Sequence, residues 1–338
     1  MKRILTILAA VMALTLTAAA QRPMVTLSHD GQLSFFTSLS ALQEALDSAQ
    51  NGDIIYLSEG KFASNSSDIT IDKRLSIVGC GYKSHILANL KIDMERNTAY
   101  MDAPLFDGVR MQTLDFSGIA ASRTNLNNVD IKKCWIRELS RGGYAGKNFN
   151  IDRCYIETAE FTGATSNNTV LQNTKIETID NTSDNYAIQV MNCNIHKAFW
   201  CPKIVISSII NEGGTSTGNG IGSWYYLKPN GSHIIYNSLL GSQRMLQDIN
   251  GTIKNITTYD CFYDNGGETG LFDDKLDCTI NLEEKGYFGE DGTVVGVYGG
   301  EFPYSETPTV PTVDSAKSSV EYDKDSNQLN VTITVAPN

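Results

Sequence analysis

Four residues whose side chains could do chemistry recur at an almost constant spacing. Arg137, Glu157, Glu177 and His196 follow one another at intervals of about 20 residues. If each interval is one turn of a stacked repeat, the four side chains form one outward column with neighbours about 4.8 Å apart. Two adjacent carboxylates flanked by a guanidinium and an imidazole could hold calcium, or could offer a base and an arginine to an acidic sugar. These four residues are the candidate catalytic residues.

The same column has a simpler interpretation. A surface ladder of ion pairs would join Arg137 to Glu157 and Glu177 to His196, would contribute little to stability and would perform no chemistry. Like charges at this spacing raise the pKa of one carboxyl group unless a cation or a nearby base compensates. The residue types favour the ion-pair ladder and leave catalysis, with or without calcium, as the alternative.

Aromatic side chains supply a second kind of candidate site. Trp224, Tyr225 and Tyr226 follow the irregular insertion NEGGTSTGNGIGS, and Trp200 precedes it. Long insertions in a regular scaffold often carry function, and exposed rings stack well on sugar faces. We predict these four residues as substrate-binding residues; the alternative is that the rings pack the insertion back onto the scaffold. Trp135 and Tyr155 share another outward position and could form a second platform.

A short repeat must position these side chains. Its pattern is apolar, any, apolar, two turn residues, a small residue, any, apolar, and the first copy runs from Val109 to Phe116. The small position advances by about 20 residues from each copy to the next. A fixed period of this length marks a solenoid of stacked units. The small positions are Leu114, Cys134, Cys154, Thr174 and Cys193.

Each repeat reads as two short strands that meet at a tight turn, with no segment long enough for a crossover helix. In five repeats the residue before the small position is of a type that tolerates a left-handed backbone. Coils of about 20 residues stacked at about 4.8 Å predict a parallel β-helix. The predicted corner residues are Gly79, Asn173, Asn192, Asn237 and Asn255.

The start of the chain supports this fold. Leu39, Leu42, Leu46 and Ala49 form one apolar stripe, which predicts a short helix that covers the first coil. The phrases NGDIIYLSEGKF, from Asn51, and LSIVGCGY, from Leu75, then follow. They resemble the opening of secreted bacterial right-handed parallel β-helix proteins, the pectin-lyase-like superfamily. The resemblance spans roughly residues 35–300 and implies a right-handed, single-stranded parallel β-helix with an N-terminal capping helix.

The resemblance implies a fold and not an activity. Pectate lyases of that superfamily hold calcium with clustered acidic residues beside an arginine, and its polygalacturonases carry Asn-Thr-Asp and Gly-His-Gly motifs. This sequence has neither of those motifs. The phrase GVYGGEFPY, from Gly296 to Tyr304, is similar to the closing phrase of exported bacterial β-helix proteins without assigned activity.

The N-terminus predicts export. Lys2 and Arg3 precede an apolar run, and three alanines end at Ala20, which is typical of a secretory signal peptide over residues 1–20. No later run reaches the roughly 18 apolar residues of a membrane-spanning helix. Loss of Lys2 and Arg3 takes the formal net charge from −11 to −13, which argues against a nucleic-acid partner. We expect a periplasmic, cell-surface or extracellular protein.

The seven cysteines suggest core packing more than cross-linking. Cys134, Cys154 and Cys193 occupy the small inward position of the repeat, where Thr174 stands elsewhere, so we predict free, buried thiols. A bridge between Cys134 and Cys154 stays open, because neighbouring coils bring them close to disulfide range. Two weaker candidate pairs are Cys193 with Cys201 and Cys261 with Cys278.

Composition divides the chain beyond the signal peptide into three parts. A β-helix domain with its cap covers residues 21–304, a linker rich in Pro, Ser and Thr covers residues 305–319, and residues 320–338 form a β-hairpin tail. The oligomeric state is open.

Together these features favour an exported protein that binds a polysaccharide or cell-surface glycan, or that has a structural role at the surface. The alternative is a polysaccharide lyase or glycoside hydrolase that acts on an acidic polysaccharide. Similarity of fold is a weak argument for catalysis, because function depends on the site.

Overall fold

The structure is a computed structural model. The predicted signal peptide and Trp224 lie outside the described residues. The structure describes residues 23–63, 66–93, 101–102, 105–116, 126–141, 147–161, 168–181, 188–216, 225–227, 231–248, 251–252, 255–307, 312–313, 319–323, 328–332 and 335–336.

The N-terminal part combines one antiparallel hairpin, one helix and the first coils. Strand β1 pairs with β2 and, on its other side, with β3, both antiparallel. The elements are β1 (Val25–His29), β2 (Gln32–Phe36), helix α1 (Ala41–Ser48), β3 (Ile54–Leu57), β4 (Gly60–Phe62), β5 (Asp68–Ile71), β6 (Ser76–Ile92), β7 (Met101–Asp102) and β8 (Leu105–Asp115).

Helix α1 buries Leu42 and Leu46 against the core, as its apolar stripe predicts. Leu39 does not join them, because it precedes the helix and is 84% exposed. No helix among the described residues is long and apolar enough to cross a membrane.

The central part is a parallel β-solenoid of about 7 turns. Its strands are β9 (Leu126–Lys132), β10 (Trp135–Arg141), β11 (Lys147–Asp152), β12 (Tyr155–Phe161), β13 (Thr169–Gln172), β14 (Lys175–Asn181), β15 (Ile188–Met191), β16 (Asn194–Ala198), β17 (Ile204–Ile206), β18 (Ile209–Gly213), β19 (Thr215–Ser216), β20 (Tyr225–Tyr226), β21 (His233–Tyr236), β22 (Leu239–Leu240), β23 (Gln247–Asp248), β24 (Gly251–Thr252), β25 (Ile256–Tyr259) and β26 (Phe262–Tyr263).

Two ladders of parallel strands run the length of this part. The first ladder joins β9, β11, β13, β15, β17, β21 and β25. The second ladder joins the end of β8 to β10, β12, β14, β16, β18, β22 and β26. Alternate side chains of each strand point inward, so Ile136, Ile156 and Ile176 stack at 0% exposure. Each such burial contributes about 1.5–3 kcal/mol.

A residue with a left-handed backbone turns the chain from the first ladder to the second. Asn173, Asn192 and Asn237 have φ of 46°, 49° and 40°, as predicted. Two predicted corners were wrong: Gly79 lacks a positive φ, and Asn255 directly precedes β25, whose coil turns at Asp260 instead. Lys133, Arg153, Ser207 and Asp260 fill the same corner in other coils.

The first predicted repeat has the wrong phase. Met111 pairs with Ile136, and Leu114 pairs with Leu139 rather than occupying the position of Cys134. The cause is a different corner: Gly108 has φ of 64°, and β8 continues through it from one ladder to the other. The backbone of the neighbouring coil lies very close at this point. A Cβ atom added to Gly79 would lie only 2.5 Å from the carbonyl oxygen of Gly108, so a side chain there would clash.

The small inward residues form a hydrogen-bonded column. The amide of Cys134 donates to Sγ of Cys154 at 3.4 Å, and the amide of Cys154 donates to Oγ1 of Thr174 at 3.2 Å. All seven cysteines are free, and Cys134, Cys154 and Cys193 are buried. The prediction of free core thiols is confirmed, and none of the three candidate disulfides forms.

After the last coil, residues 271–304 fold back along the outside of the second ladder, and we call this segment the strap. It contains helix α2 (Leu282–Lys285). Its Leu271 and Val295 pack on Ile209 and Leu239 of the second ladder. The tail strands are β27 (Thr312–Val313), β28 (Ser319–Asp323), β29 (Gln328–Thr332) and β30 (Val335–Ala336), with β28 antiparallel to β29 and β27 antiparallel to β30.

Candidate functional site

The predicted charged column lies on the outer side of the second ladder. Nε of Arg137 is 3.9 Å from Oε2 of Glu157, and the two side chains are 67% and 40% exposed. A pair this long and this exposed contributes little energy. Nε2 of His196 is 3.5 Å from Oε1 of Glu212 on the next coil. The hydrogen bond to Glu212 raises the pKa of His196, and the negative charge of Glu177 adds to the shift.

The geometry gives no support for calcium in this column. Among the described residues, no group of three or more His, Cys, Asp or Glu side chains is placed to hold a metal ion. The carboxylates of Glu157 and Glu177 do lie close to Tyr155. Burial raises the pKa of Tyr155, and Glu177 and Glu157 raise it further.

The predicted aromatic residues do not form one described site. Trp200 is partly buried just before the insertion. Tyr225 and Tyr226 form β20, which pairs antiparallel with Thr215 and Ser216 across the insertion. The insertion therefore contains a short hairpin.

A second outward column lies two residues before the charged one. The prediction that Trp135 and Tyr155 share an outward position in it is confirmed, whereas its extension to Lys61, His85 and Arg110 was not predicted. Register pairs Lys61 with His85, His85 with Arg110, Arg110 with Trp135 and Trp135 with Tyr155. Three consecutive coils thus place three nitrogen-bearing side chains in line, followed by two aromatic rings. We call these five residues the cation–aromatic column.

The start of this column opens into a cavity of about 760 Å³, which we call the cationic cavity. It is lined by Lys61, His85 and Arg110 together with Tyr82 and Lys83. Glu59 also lines it, and its Oε1 accepts a hydrogen bond from Nζ of Lys83 at 2.8 Å. The charge of Lys83 is therefore balanced by Glu59. Lys61 and Arg110 then give the cavity an excess of positive charge.

Aromatic stacking fixes the guanidinium of Arg110. Its Cζ lies 4.1 Å from the ring centre of Trp135, which places it over the ring face. The ring of Tyr155 is parallel to that of Trp135 within 2°, with centres 6.1 Å apart. Nε of Arg110 is buried and has no hydrogen-bond partner among the described residues. A buried donor without a partner costs about 1–3 kcal/mol.

His85 lies between two cations in the same cavity. Its Nε2 is 3.1 Å from Nε2 of Gln112. Burial lowers the pKa of His85, and the charges of Arg110 and Lys61 lower it further. These surroundings favour the neutral imidazole, whereas a negative charge nearby would favour the protonated form.

A scan against protein-family models, a search of curated proteins and a search of solved structures each found no match to this chain. Function is therefore inferred here from the chemistry and arrangement of the residues.

The strap sets the limit of the column. In the next coils the same outward positions hold Lys175, Asn194 and Ile209, and all three are buried. Nδ2 of Asn194 donates to the carbonyl of Leu276 at 2.7 Å, so strap backbone covers this part of the ladder. The part of the column that the strap leaves uncovered therefore extends from Lys61 to Tyr155.

The spacing of the residues explains why the part of this column from Lys61 to Arg110 was not predicted. Each step from Lys61 through His85 and Arg110 to Trp135 is several positions longer than the regular period of the repeat. Only the last step, from Trp135 to Tyr155, follows that period. The available signal was the alternation within β6 and β8, which places His85 and Arg110 between the buried residues on either side of them.

Proposed function

We propose that this protein is an exported glycan-binding protein that holds an acidic polysaccharide on the cation–aromatic column. The observation that carries the proposal is the alignment of Lys61, His85 and Arg110 in consecutive coils of a cavity. Arginine and lysine are the usual partners of carboxylate groups, and a guanidinium fixed in place binds with less loss of entropy. The open column is a strip, which suits a polymer better than a small ion.

The charge distribution supports an acidic ligand. The chain as a whole carries a net charge of −11, so it repels polyanions except where cations cluster. The cationic cavity is such a cluster.

Binding is tested by electrophoresis of the protein without residues 1–20 through gels that contain polygalacturonate, alginate or a neutral polysaccharide. We expect retardation in the acidic gels that weakens with salt. Arg110→Gln should lower the affinity about tenfold to a hundredfold, since a hydrogen bond to a charged group contributes about 1.5–3 kcal/mol. Arg244→Gln removes the same charge from an exposed position on later coils and should change nothing. Equal mobility in every gel would overturn the proposal.

A lyase or hydrolase is the second candidate, because Glu157 and Glu177 lie beside Tyr155 at the end of the open column. Size-exclusion chromatography of the same polysaccharides after incubation tests it. Shortened chains that disappear with Glu157→Gln would establish catalysis, whereas bound but intact chains support a binding protein.

We further propose that residues 1–20 direct export and are removed, that the coil is right-handed, and that α1 closes its first end. Lys2, Arg3 and the alanines before Gln21 support the first point. The opening phrases, which lie on β3, β4 and β6, support a place in the pectin-lyase-like superfamily. A mature N-terminus other than Gln21 would argue against this cleavage site.

A further inference from the structure

A second cavity lies on the outer side of the first ladder, on strands β9, β11, β13 and β15. Its volume is about 590 Å³, and side-chain amides dominate its lining. We propose that this cavity, which we call the amide groove, binds a neutral glycan, independently of the acidic polysaccharide on the second ladder. Its principal residues are Asn128, Asn148, Asn150, Gln172 and Gln189, with Val170 among them.

Hydrogen bonds between coils orient the amides. Nδ2 of Asn148 donates to Oδ1 of Asn128 at 3.1 Å, and Nδ2 of Asn150 donates to Oδ1 of Asp130 at 3.1 Å. Each such bond uses one of the two N–H groups of the donor amide and leaves its oxygen for another partner. An amide that offers both a hydrogen-bond donor and an acceptor is complementary to a sugar hydroxyl, which also donates and accepts hydrogen bonds.

The charge of the groove selects a neutral ligand. Asp130 is the single ionisable side chain in the described lining. Its carboxylate accepts the bond from Asn150 and lies 3.9 Å from Nζ of Lys132. The lining offers no cation that would favour a carboxylate or phosphate, in contrast to the cationic cavity.

The spacing of the coils favours a sugar chain over a peptide. Register places Asp130, Asn150, Val170 and Gln189 in one outward column with neighbours about 4.8 Å apart, and the first, second and fourth of them carry hydrogen-bonding groups. An extended peptide rises about 3.3 Å per residue, which does not match the spacing of about 4.8 Å between coils, so its groups fall out of register with the column within two coils. A sugar ring with its linkage spans a length close to one coil. Val170 supplies an apolar contact for the C–H face of a ring.

The experiment is electrophoresis through gels that contain a soluble β-glucan, a galactomannan or an arabinoxylan. It is run at about 1 M salt, where the Debye length is about 3 Å and polyanion binding is suppressed. We expect retardation by at least one polymer. Asn150→Leu combined with Gln172→Leu should lower that affinity at least tenfold, whereas Thr257→Leu, an outward position on the last strand of the same ladder, should leave it unchanged.

Two results would overturn the proposal that the amide groove binds a neutral glycan. One is the absence of retardation by all three neutral polymers. The other is loss of neutral binding in Arg110→Gln, which would place the ligand in the cationic cavity. Binding of polygalacturonate at low salt is scored separately, so the failure of either site is distinguishable from the failure of the other.

Discussion

Nζ of Lys175 lies 2.6 Å from Oδ1 of Asp277, a residue 102 positions later in the chain. The lysine side chain is only 3% exposed, whereas that of Asp277 is 32% exposed. The rings of Tyr304 and Tyr298 lie 4.6 and 5.5 Å from the same ammonium group. The hydroxyl of Tyr298 also donates to Oδ1 of Asp277. This cluster fastens the strap to the second ladder where the cation–aromatic column ends.

Asp277→Asn should destabilise the fold by about 2–3 kcal/mol. Loss of one partner leaves a buried ammonium group without its counter-ion, and the partial exposure of Asp277 keeps the cost at the low end of the range for buried pairs. Urea unfolding measures the change. Adding Lys175→Met to Asp277→Asn should recover most of the loss, because the buried charge is then gone. An equal or larger loss in the double variant would contradict this account.

Affinity for polygalacturonate should rise as the pH falls from about 7 to 5. Burial and the charges of Arg110 and Lys61 lower the pKa of His85, and a bound carboxylate should raise it, so binding takes up a proton. Uronate carboxyl groups stay ionised in this pH range, since such acids titrate near pH 3.5. The other ionisable groups that line the cavity are Lys61, Lys83, Arg110, Glu59 and Tyr82, and burial raises the pKa of Tyr82.

Isothermal titration calorimetry at several pH values measures this dependence. His85→Gln should bind with an affinity that is nearly constant across the same range. A wild-type affinity that stays constant, or that rises with pH, would exclude His85 from the binding site.

Trp135→Leu should weaken acidic polysaccharide binding although it removes no charge. The indole holds the guanidinium of Arg110 by a contact worth about 0.5–2 kcal/mol, which corresponds to about twofold to thirtyfold in affinity. Tyr236→Leu is the matched control, because Tyr236 is a stacked, exposed ring on the first ladder. An equal loss in both variants, measured by gel retardation, would assign the effect to general stability.

All seven cysteines should react with iodoacetamide in denaturant without a reducing agent, because all are free. In the folded protein Cys193 should be unreactive, since burial raises its pKa to about 12. Burial also holds the pKa of Cys154 well above its usual value. Half-buried Cys80, Cys261 and Cys278 should react first. Mass spectrometry counts the modified thiols, and fewer than seven in denaturant would reveal a disulfide.

Much of the solenoid could be predicted from the sequence, because its rules are local. From Val129 onward, alternation within a strand decides which side chains point inward, and a residue that tolerates a left-handed backbone marks the corner. Asn173, Asn192 and Asn237 show this directly. The same rules failed at the coil before, where Gly108 turns the chain within a continuous strand and shifts the pairing of Met111.

Local sequence patterns were enough to predict that coils stack, that Cys134 and Cys154 lie in the core and that Arg137 and Glu157 are outward neighbours. Those properties follow from residue type and a period of about 20 residues. The three-dimensional fold, in contrast, brings Lys61, His85 and Arg110 into one cavity, since their alignment depends on irregular coils that are longer than the regular repeat. It also decided that the strap closes the second ladder through Lys175 and Asp277, a contact between distant segments that no local pattern specifies.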